Sequence, residues 1–322
     1  MVNRNFKRKK KICSDAQRVK RMGVEDLARY YVIDVHPEQK AVLGDLVLMK
    51  IASGKSNRFT RAADRSDPNK KTTSSQRKSA KFMLRRENLA YAHLQLNHPA
   101  FLQAFPQVGK DSVLVTEFRP GISLRSYVNN NIERALVTGG KAMFEYIRDV
   151  LTTSIAAAQG VEYFQEIPNE GSLVYRNIRP EKIFICGRTK QGRTILKRHI
   201  KLEDLSRSCT EGPIDPRLNS KGYSEYDAPE TIGRNAFAVP KSDVYSLGIV
   251  LRESLGLRNI SMNDLLQGAV PKFNLFPSTV FAYDFTRDMT DTNPRNRPTM
   301  AETVFELDDI RNMHLADAPK YL

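Results

Sequence analysis

Two short runs of the chain hold side chains whose types and spacing could do chemistry. The first, Val174-Tyr175-Arg176-Asn177-Ile178-Arg179-Pro180-Glu181-Lys182-Ile183-Phe184, sets two guanidiniums, an amide, a carboxylate and an ammonium close together. The second, Ile200-Lys201-Leu202-Glu203-Asp204-Leu205-Ser206, ends on a carboxylate and a hydroxyl. The amide of Asn177 can accept a hydrogen bond from a hydroxyl but cannot take up its proton, and the ammonium of Lys182 has no lone pair to give a metal. Lys182 can instead supply positive charge, either to Asp204 or to an anionic oxygen. Cys13, Cys186 and Cys209 lack metal-type spacing and are odd in number, which fits free thiols in a reducing compartment. The five histidines are scattered without a metal-like pair.

The elements that must position these runs are legible from apolar periodicity. Tyr30 to Val35 and Leu43 to Ile51 read as strands around His36-Pro37-Glu38-Gln39. Ser53 to Ser79 is polar and basic, contains Pro68, and reads as a long mobile loop. Phe82, Leu89, Ala92, Leu94 and Leu96 then mark a helix that ends before Pro99, with strands expected around Phe101 to Val108 and Ser112 to Phe118. After Pro120-Gly121 the texture turns helical, with helices expected at about 141–166, 241–256 and 300–313 and short strands near 183–186 and 195–202. A strand-rich first third joined to a helix-rich remainder predicts an α+β chain of two lobes.

With 322 residues the chain can bury a sizeable core, and its 40% hydrophobic content is ordinary for a globular protein. The net charge of +15 is unevenly spread. Lys7 to Lys11 is an unbroken basic run, extended by Arg4, Arg18, Lys20 and Arg21, so residues 1–22 read as a flexible basic arm. A second basic stretch covers Lys55 to Lys81. Both would attract a polyanion or an anionic membrane surface through sequence-independent forces, or else are simply solvated. With only Phe6 beside the first run, specific reading of nucleic acid is unsupported. Apolar runs such as Leu247 to Leu251 are too short to span a bilayer, and no apolar leader opens the sequence, so an intracellular place, cytoplasmic or nuclear, is expected.

Six patches in the right order resemble the protein kinase superfamily. Leu114-Val115-Thr116-Glu117-Phe118 followed by Pro120-Gly121 is similar to the hinge, and the run around Asn177 is similar to the catalytic loop, H/Y-R-D-L-K-P-E-N-I-L. The run ending at Asp204 resembles the strand carrying D-F-G. Gly222-Tyr223-Ser224-Glu225-Tyr226-Asp227-Ala228-Pro229-Glu230, Lys241-Ser242-Asp243-Val244-Tyr245-Ser246-Leu247-Gly248 and Asn293-Pro294-Arg295-Asn296-Arg297-Pro298-Thr299 complete the set. Together they cover roughly residues 23 to 312. The resemblance implies a bilobal kinase-like domain over residues 23–315, with a β-rich N-lobe (23–117) and a helical C-lobe (119–315). It also implies a nucleotide cleft near Lys50, Thr116, Glu117, Phe118 and Asp204.

Kinase chemistry is positioning plus charge neutralisation, and the parts carry over unevenly. In the glycine-rich roof, Gly23-Val24-Glu25-Asp26-Leu27-Ala28-Arg29-Tyr30, only Gly23 matches, while Glu25 and Ala28 replace the other glycines. Lys50 fits the strand lysine, the alternative being a surface lysine on an edge strand. The family spacing puts Leu89 at the position of the lysine's helix glutamate, and Glu87 serves only if the helix holds an extra half-turn. Asn177 stands in place of the catalytic aspartate, Arg179 in place of the loop lysine, and Lys182 in place of a magnesium-binding asparagine. Asp204 matches the remaining metal ligand, the alternative being a carboxylate paired only with Lys50 or Lys182. At most one Mg²⁺ is expected. Glu230 and Arg297 match the family's buried ion pair, and Asp243 the carboxylate that caps the catalytic-loop backbone. Scaffold features are kept while catalytic ones are changed.

The implied function is a pseudokinase, a binding or allosteric module whose partner is another protein, such as an active kinase or a signalling complex. The alternatives are a divergent Ser/Thr-type kinase using ATP, or a polyanion-binding protein that reuses the fold. Ser206, Ser208, Thr210, Ser220 and Tyr223 are hydroxyls open to phosphorylation. The segment between Ile185 and Ile200, with Arg188, Lys190, Arg193, Lys197 and Arg198, reads as a projecting basic hairpin.

Overall fold

The computed structural model describes residues 19–25, 28–34, 46–52, 74–94, 96, 98–104, 113–117, 121–168, 171–190, 193–219, 223–257 and 276–320. The basic run Lys7–Lys11, the bulk of the Lys55–Lys81 stretch, Cys13 and Phe118 lie outside them. The chain forms two compact units, one of residues 1–97 with 102–119 and the other of residues 98–101 with 120–322.

The first unit is built on a four-stranded antiparallel sheet in the order β1 (Val19–Glu25), β2 (Ala28–Asp34), β3 (Leu46–Ala52) and β4 (Val113–Glu117). β1 starts at Val19, inside the segment read as an arm. β3 is an inner strand, so the edge-strand alternative for Lys50 falls: Lys50 stands opposite Tyr30 on one side and Leu114 on the other. The single helix described in this unit, α1 (Ser74–Leu94), runs beside β3 and β4. It buries Met83, Leu84, Glu87, Asn88 and Tyr91, a stripe at helical spacing. The helix begins earlier than its apolar pattern suggests, because Ser74 to Lys81 is polar and reads as loop until Met83 and Leu84 reveal the buried face. The strand expected at Phe101 to Val108 is absent among the described residues. Phe101 and Ala104 make only isolated bridges, to Leu202 and Thr116.

The second unit is dominated by α3 (Gly140–Gln165), which follows α2 (Leu124–Thr138). α3 is buried almost all round because small residues alternate with large ones along it. Gly160 shows why a glycine is needed: a Cβ there would lie 2.7 Å from Ala100 Cβ and 3.0 Å from Leu202 Cδ1. Against α3 pack α4 (Pro240–Ser254) and α6 (Met300–Ala316), with α5 (Pro277–Met289) bridging between those two. Their shared core includes Phe144, Ile147, Leu151, Leu251, Phe276 and Leu307. α2 and α5 were not expected, since their apolar positions are sparse (α2 buries only Leu124, Val128 and Ala135).

Short sheets carry the functional runs. β5 (Gly121–Ser123) pairs with β7 (Ile183–Lys190), which pairs with β8 (Arg193–Leu202), so this hairpin is longer than its apolar residues indicate. β6 (Leu173–Val174) pairs with β9 (Cys209–Thr210), and β10 (Gly212–Pro213) with β11 (Phe237–Ala238). Among the described residues Cys186 and Cys209 are thiols outside any disulfide. No helix among them is long and apolar enough to cross a membrane.

Candidate functional site

The loop from Tyr175 to Lys182 leaves β6 and is hung by its main chain from one carboxylate. Asp243, in the first turn of α4 and fully buried, accepts from the backbone N–H of Tyr175 (2.8 Å) and Arg176 (2.7 Å) and from Gln165 Nε2 (3.0 Å). Burial pushes its pKa up, to about 6, against the pull of those three hydrogen bonds. The anchor holds Arg176 in a left-handed conformation, φ 59°. The buried Arg176 guanidinium donates to Asn219 Oδ1 (2.8 Å), and its pKa is lowered, chiefly by burial. Tyr175 is fully buried and its hydroxyl donates to the carbonyl of Glu203 (2.6 Å), tying this loop to the end of β8.

Asn177, Lys182 and Asp204 are brought together, all three almost fully buried. Asn177 Nδ2 donates to the backbone carbonyl of Asp204 at 2.7 Å. Lys182 Nζ lies 3.6 Å from Asp204 Oδ2, with side-chain exposures of only 4% and 6%. The other carboxylate oxygen of Asp204 accepts from Ser206 Oγ at 2.5 Å and from Ser206 N at 3.3 Å. Asp204 is itself left-handed, φ 72°. Of the two pairings open to this carboxylate, the described residues show the one with Lys182. Arg179 is half-buried, and its carbonyl accepts from Lys182 N at 2.9 Å.

This donor set does not suit a divalent cation. A single carboxylate, one oxygen engaged by a hydroxyl and the other faced by an ammonium, offers a metal little, and a dication beside Lys182 would be repelled. Among the described residues no group of three or more His, Cys, Asp or Glu side chains gathers to hold a metal.

The surrounding scaffold is firmly paired. Arg297, fully buried, forks onto Glu230 through Nη1–Oε1 (2.7 Å) and Nη2–Oε2 (2.9 Å), and Ser242 Oγ donates to the same carboxylate at 2.6 Å. Burial acts to raise the Glu230 pKa, but the guanidinium and the hydroxyl outweigh it and hold the carboxyl below its usual range. Two further clusters carry no signal in the motifs. Arg207 forks onto Asp227 (2.9 and 3.2 Å), both largely buried. Arg125, at the start of α2, bonds Glu181 (2.8 Å), Tyr226 (2.5 Å) and Glu253, and Tyr226 in turn donates to Glu253 (2.5 Å). Only the convergence of four distant segments creates that cluster, so sequence spacing could not have revealed it.

In the first unit, Gly23 lies in β1 opposite Tyr30, just past a register shift. Thr116 is buried on β4, and Glu117 Oε1 accepts from Gln103 N at 3.2 Å. Glu87 is buried at 3% exposure, whereas Leu89, the residue that family spacing puts at the glutamate position, faces out at 47%.

A model of the protein kinase domain matches residues 50–306, most of the chain. The chain belongs to the protein kinase family. Members of that family generally bind ATP and Mg²⁺. Wee1-like protein kinase 2 of Sus scrofa is 26% identical over 239 aligned positions, covering 67% of this chain and 40% of that protein. PR5-like receptor kinase of Arabidopsis thaliana is 30% identical over 151 positions, covering 46% of this chain and 20% of the other. A probable serine/threonine-protein kinase PknB of Lactococcus lactis is 22% identical over 171 positions, covering 52% and 23%. The chain thus spans about 40% of the length of the Wee1-like kinases it resembles.

Proposed function

We propose that this kinase-family chain is a pseudokinase, a bilobal kinase-fold module that binds and regulates another protein in intracellular signalling, with phosphoryl transfer impaired. The observation that carries the reading is the buried Lys182 ammonium 3.6 Å from Asp204, at the position where the family's loop asparagine would hold a metal. Asn177 adds to it: its amide, held by a bond to the Asp204 carbonyl, cannot take up a proton and so cannot serve as a base, and losing a positioned base costs about 10²–10⁴ in rate. Gly23, Lys50, Thr116, Glu117 and Phe118 are the residues proposed to touch a nucleotide, with Glu87 as the partner of Lys50. Lys182 then stands in for an ion, so any affinity for ATP persists in EDTA. The basic arm and the Lys55–Lys81 stretch are proposed as a secondary polyanion or membrane-surface contact.

The test compares wild type with Asn177→Asp/Lys182→Asn using labelled ATP and a generic protein substrate, alongside ATP thermal shifts with and without Mg²⁺. The double variant should transfer phosphate at least 100-fold faster than wild type, following the same estimate for a positioned base. Wild-type turnover equal to the double variant's would establish an active Ser/Thr-type kinase instead. Strict Mg²⁺ dependence of the shift would refute the role given to Lys182.

A further inference from the structure

Helix α1 divides its residues sharply. Its buried stripe takes Met83, Leu84 and Tyr91 together with Glu87, the only carboxylate in the helix. The outward stripe is Lys78, Lys81 and Arg85, all exposed, at spacings of three and four that align them on one face. Arg86, beside them, is half-buried with its guanidinium over the Phe82 ring at 5.9 Å. Among the residues of α1 the exposed face therefore carries these cations, followed by Leu89, with no acidic residue of the helix among them, the cations covering an axial length of about 10 Å.

We infer that the Lys78–Lys81–Arg85 face of α1 binds the phosphodiester backbone of duplex nucleic acid. B-form DNA carries one charge per about 3.4 Å of axis on each strand, so about three phosphates of one strand lie along that face. A membrane is less suited, because the apolar side of α1 is buried in its own unit apart from Leu89, a single apolar side chain that offers little area to insert. A single strand is less suited too, because the stripe offers no exposed aromatic on which bases could stack. The sequence before the helix continues the pattern, with six Lys or Arg and two Asp from Lys55 to Thr73, and the chain as a whole is at +15, which steers it toward a dense polyanion. Contacts of this kind are to phosphate and are indifferent to base sequence. The inference rests on and narrows the polyanion contact proposed for the Lys55–Lys81 stretch, and is independent of the pseudokinase reading, since Lys78, Lys81 and Arg85 are outside every catalytic motif.

The test is fluorescence anisotropy with a labelled 20-base-pair DNA duplex at several salt concentrations, using the full chain and Lys78→Ala/Lys81→Ala/Arg85→Ala. Three lost phosphate contacts should reduce the slope of log K against log salt by about 2.7, so that from 50 to 200 mM salt the wild type loses about 40-fold more affinity than the variant. Lys78→Arg/Lys81→Arg, which keeps the charge, should retain the wild-type slope, and a chain lacking residues 1–18 should still show the α1-dependent difference. An unchanged slope in the triple variant, equal competition by polyglutamate at the same charge concentration, or loss of the difference in the truncated chain would each overturn the inference. So would a variant defect seen with phosphatidylserine vesicles and not with DNA.

Discussion

Replacing Lys182 by Met removes one partner of a buried ion pair and leaves the other in place. At 3.6 Å and an effective dielectric near 20, the Lys182–Asp204 attraction is worth about 5 kcal/mol. Removing the ammonium recovers its own desolvation cost but leaves the buried Asp204 carboxylate without this counter-charge, its bonds to the Ser206 hydroxyl and N–H being retained. Lys182→Met should therefore destabilise by about 3–5 kcal/mol. Asp204→Asn in the Lys182→Met background removes the stranded charge, so the double variant should be more stable than Lys182→Met alone, with a coupling of about 2–3 kcal/mol around the cycle. The chain has no tryptophan, so urea unfolding is best followed by far-UV circular dichroism. Lys182→Met within about 0.5 kcal/mol of wild type, the range of an ordinary surface change, would show that the ammonium is not held as a counter-charge.

Four further outcomes follow from the geometry. Arg297→Met should cost about 3–5 kcal/mol by leaving Glu230 unpaired, measurable in the same unfolding assay. Gly160→Ala should cost about 1–3 kcal/mol, because the added methyl meets Ala100 and Leu202 at overlapping distance. Asp243 has a folded-state pKa near 6 against 3.8 unfolded, so its ionised form is disfavoured by folding. The stability it contributes falls by roughly 3 kcal/mol as pH rises from about 4 to about 6, and the penalty of Asp243→Asn should be larger at pH 4 than at pH 7. His314 faces Phe144 O at 2.9 Å and Ser278 Oγ at 2.9 Å in full burial. A carbonyl only accepts, so Nε2 carries the proton and Nδ1 accepts from the serine. Burial holds the His314 pKa below 6.5, so its contribution is complete above that pH and is lost as pH falls through the folded value. His314→Gln should flatten this acid limb of the stability curve.

Much of the site was readable before its geometry because its residues sit in contiguous motifs. Asn177, Lys182 and Asp204 are suspect by type alone, and the pairing of Lys182 with Asp204 was one of two options the charges allowed. The buried fork of Arg297 on Glu230 likewise joins residues that two separate motifs single out. What was not legible has a physical cause in each case. The Arg125–Glu181–Tyr226–Glu253 cluster joins segments far apart in sequence, so no local pattern betrays it. The first turns of α1 are polar and look like the loop before them. The choice between Leu89 and Glu87 depends on which way the helix is turned, a matter of tens of degrees that a motif count cannot resolve; the helix buries Glu87 and turns Leu89 outward.

Because Asp243 holds the loop through the amides of Tyr175 and Arg176, the path of the backbone there is set by groups every residue possesses. Half-buried Arg179 is thus at liberty to vary without the chain losing its course. A saturation library scored for abundance should show broad acceptance at Arg179 and near-total rejection at Asp243. Such a pattern would show that the course of this loop is set by its backbone anchor more than by the side chains it carries.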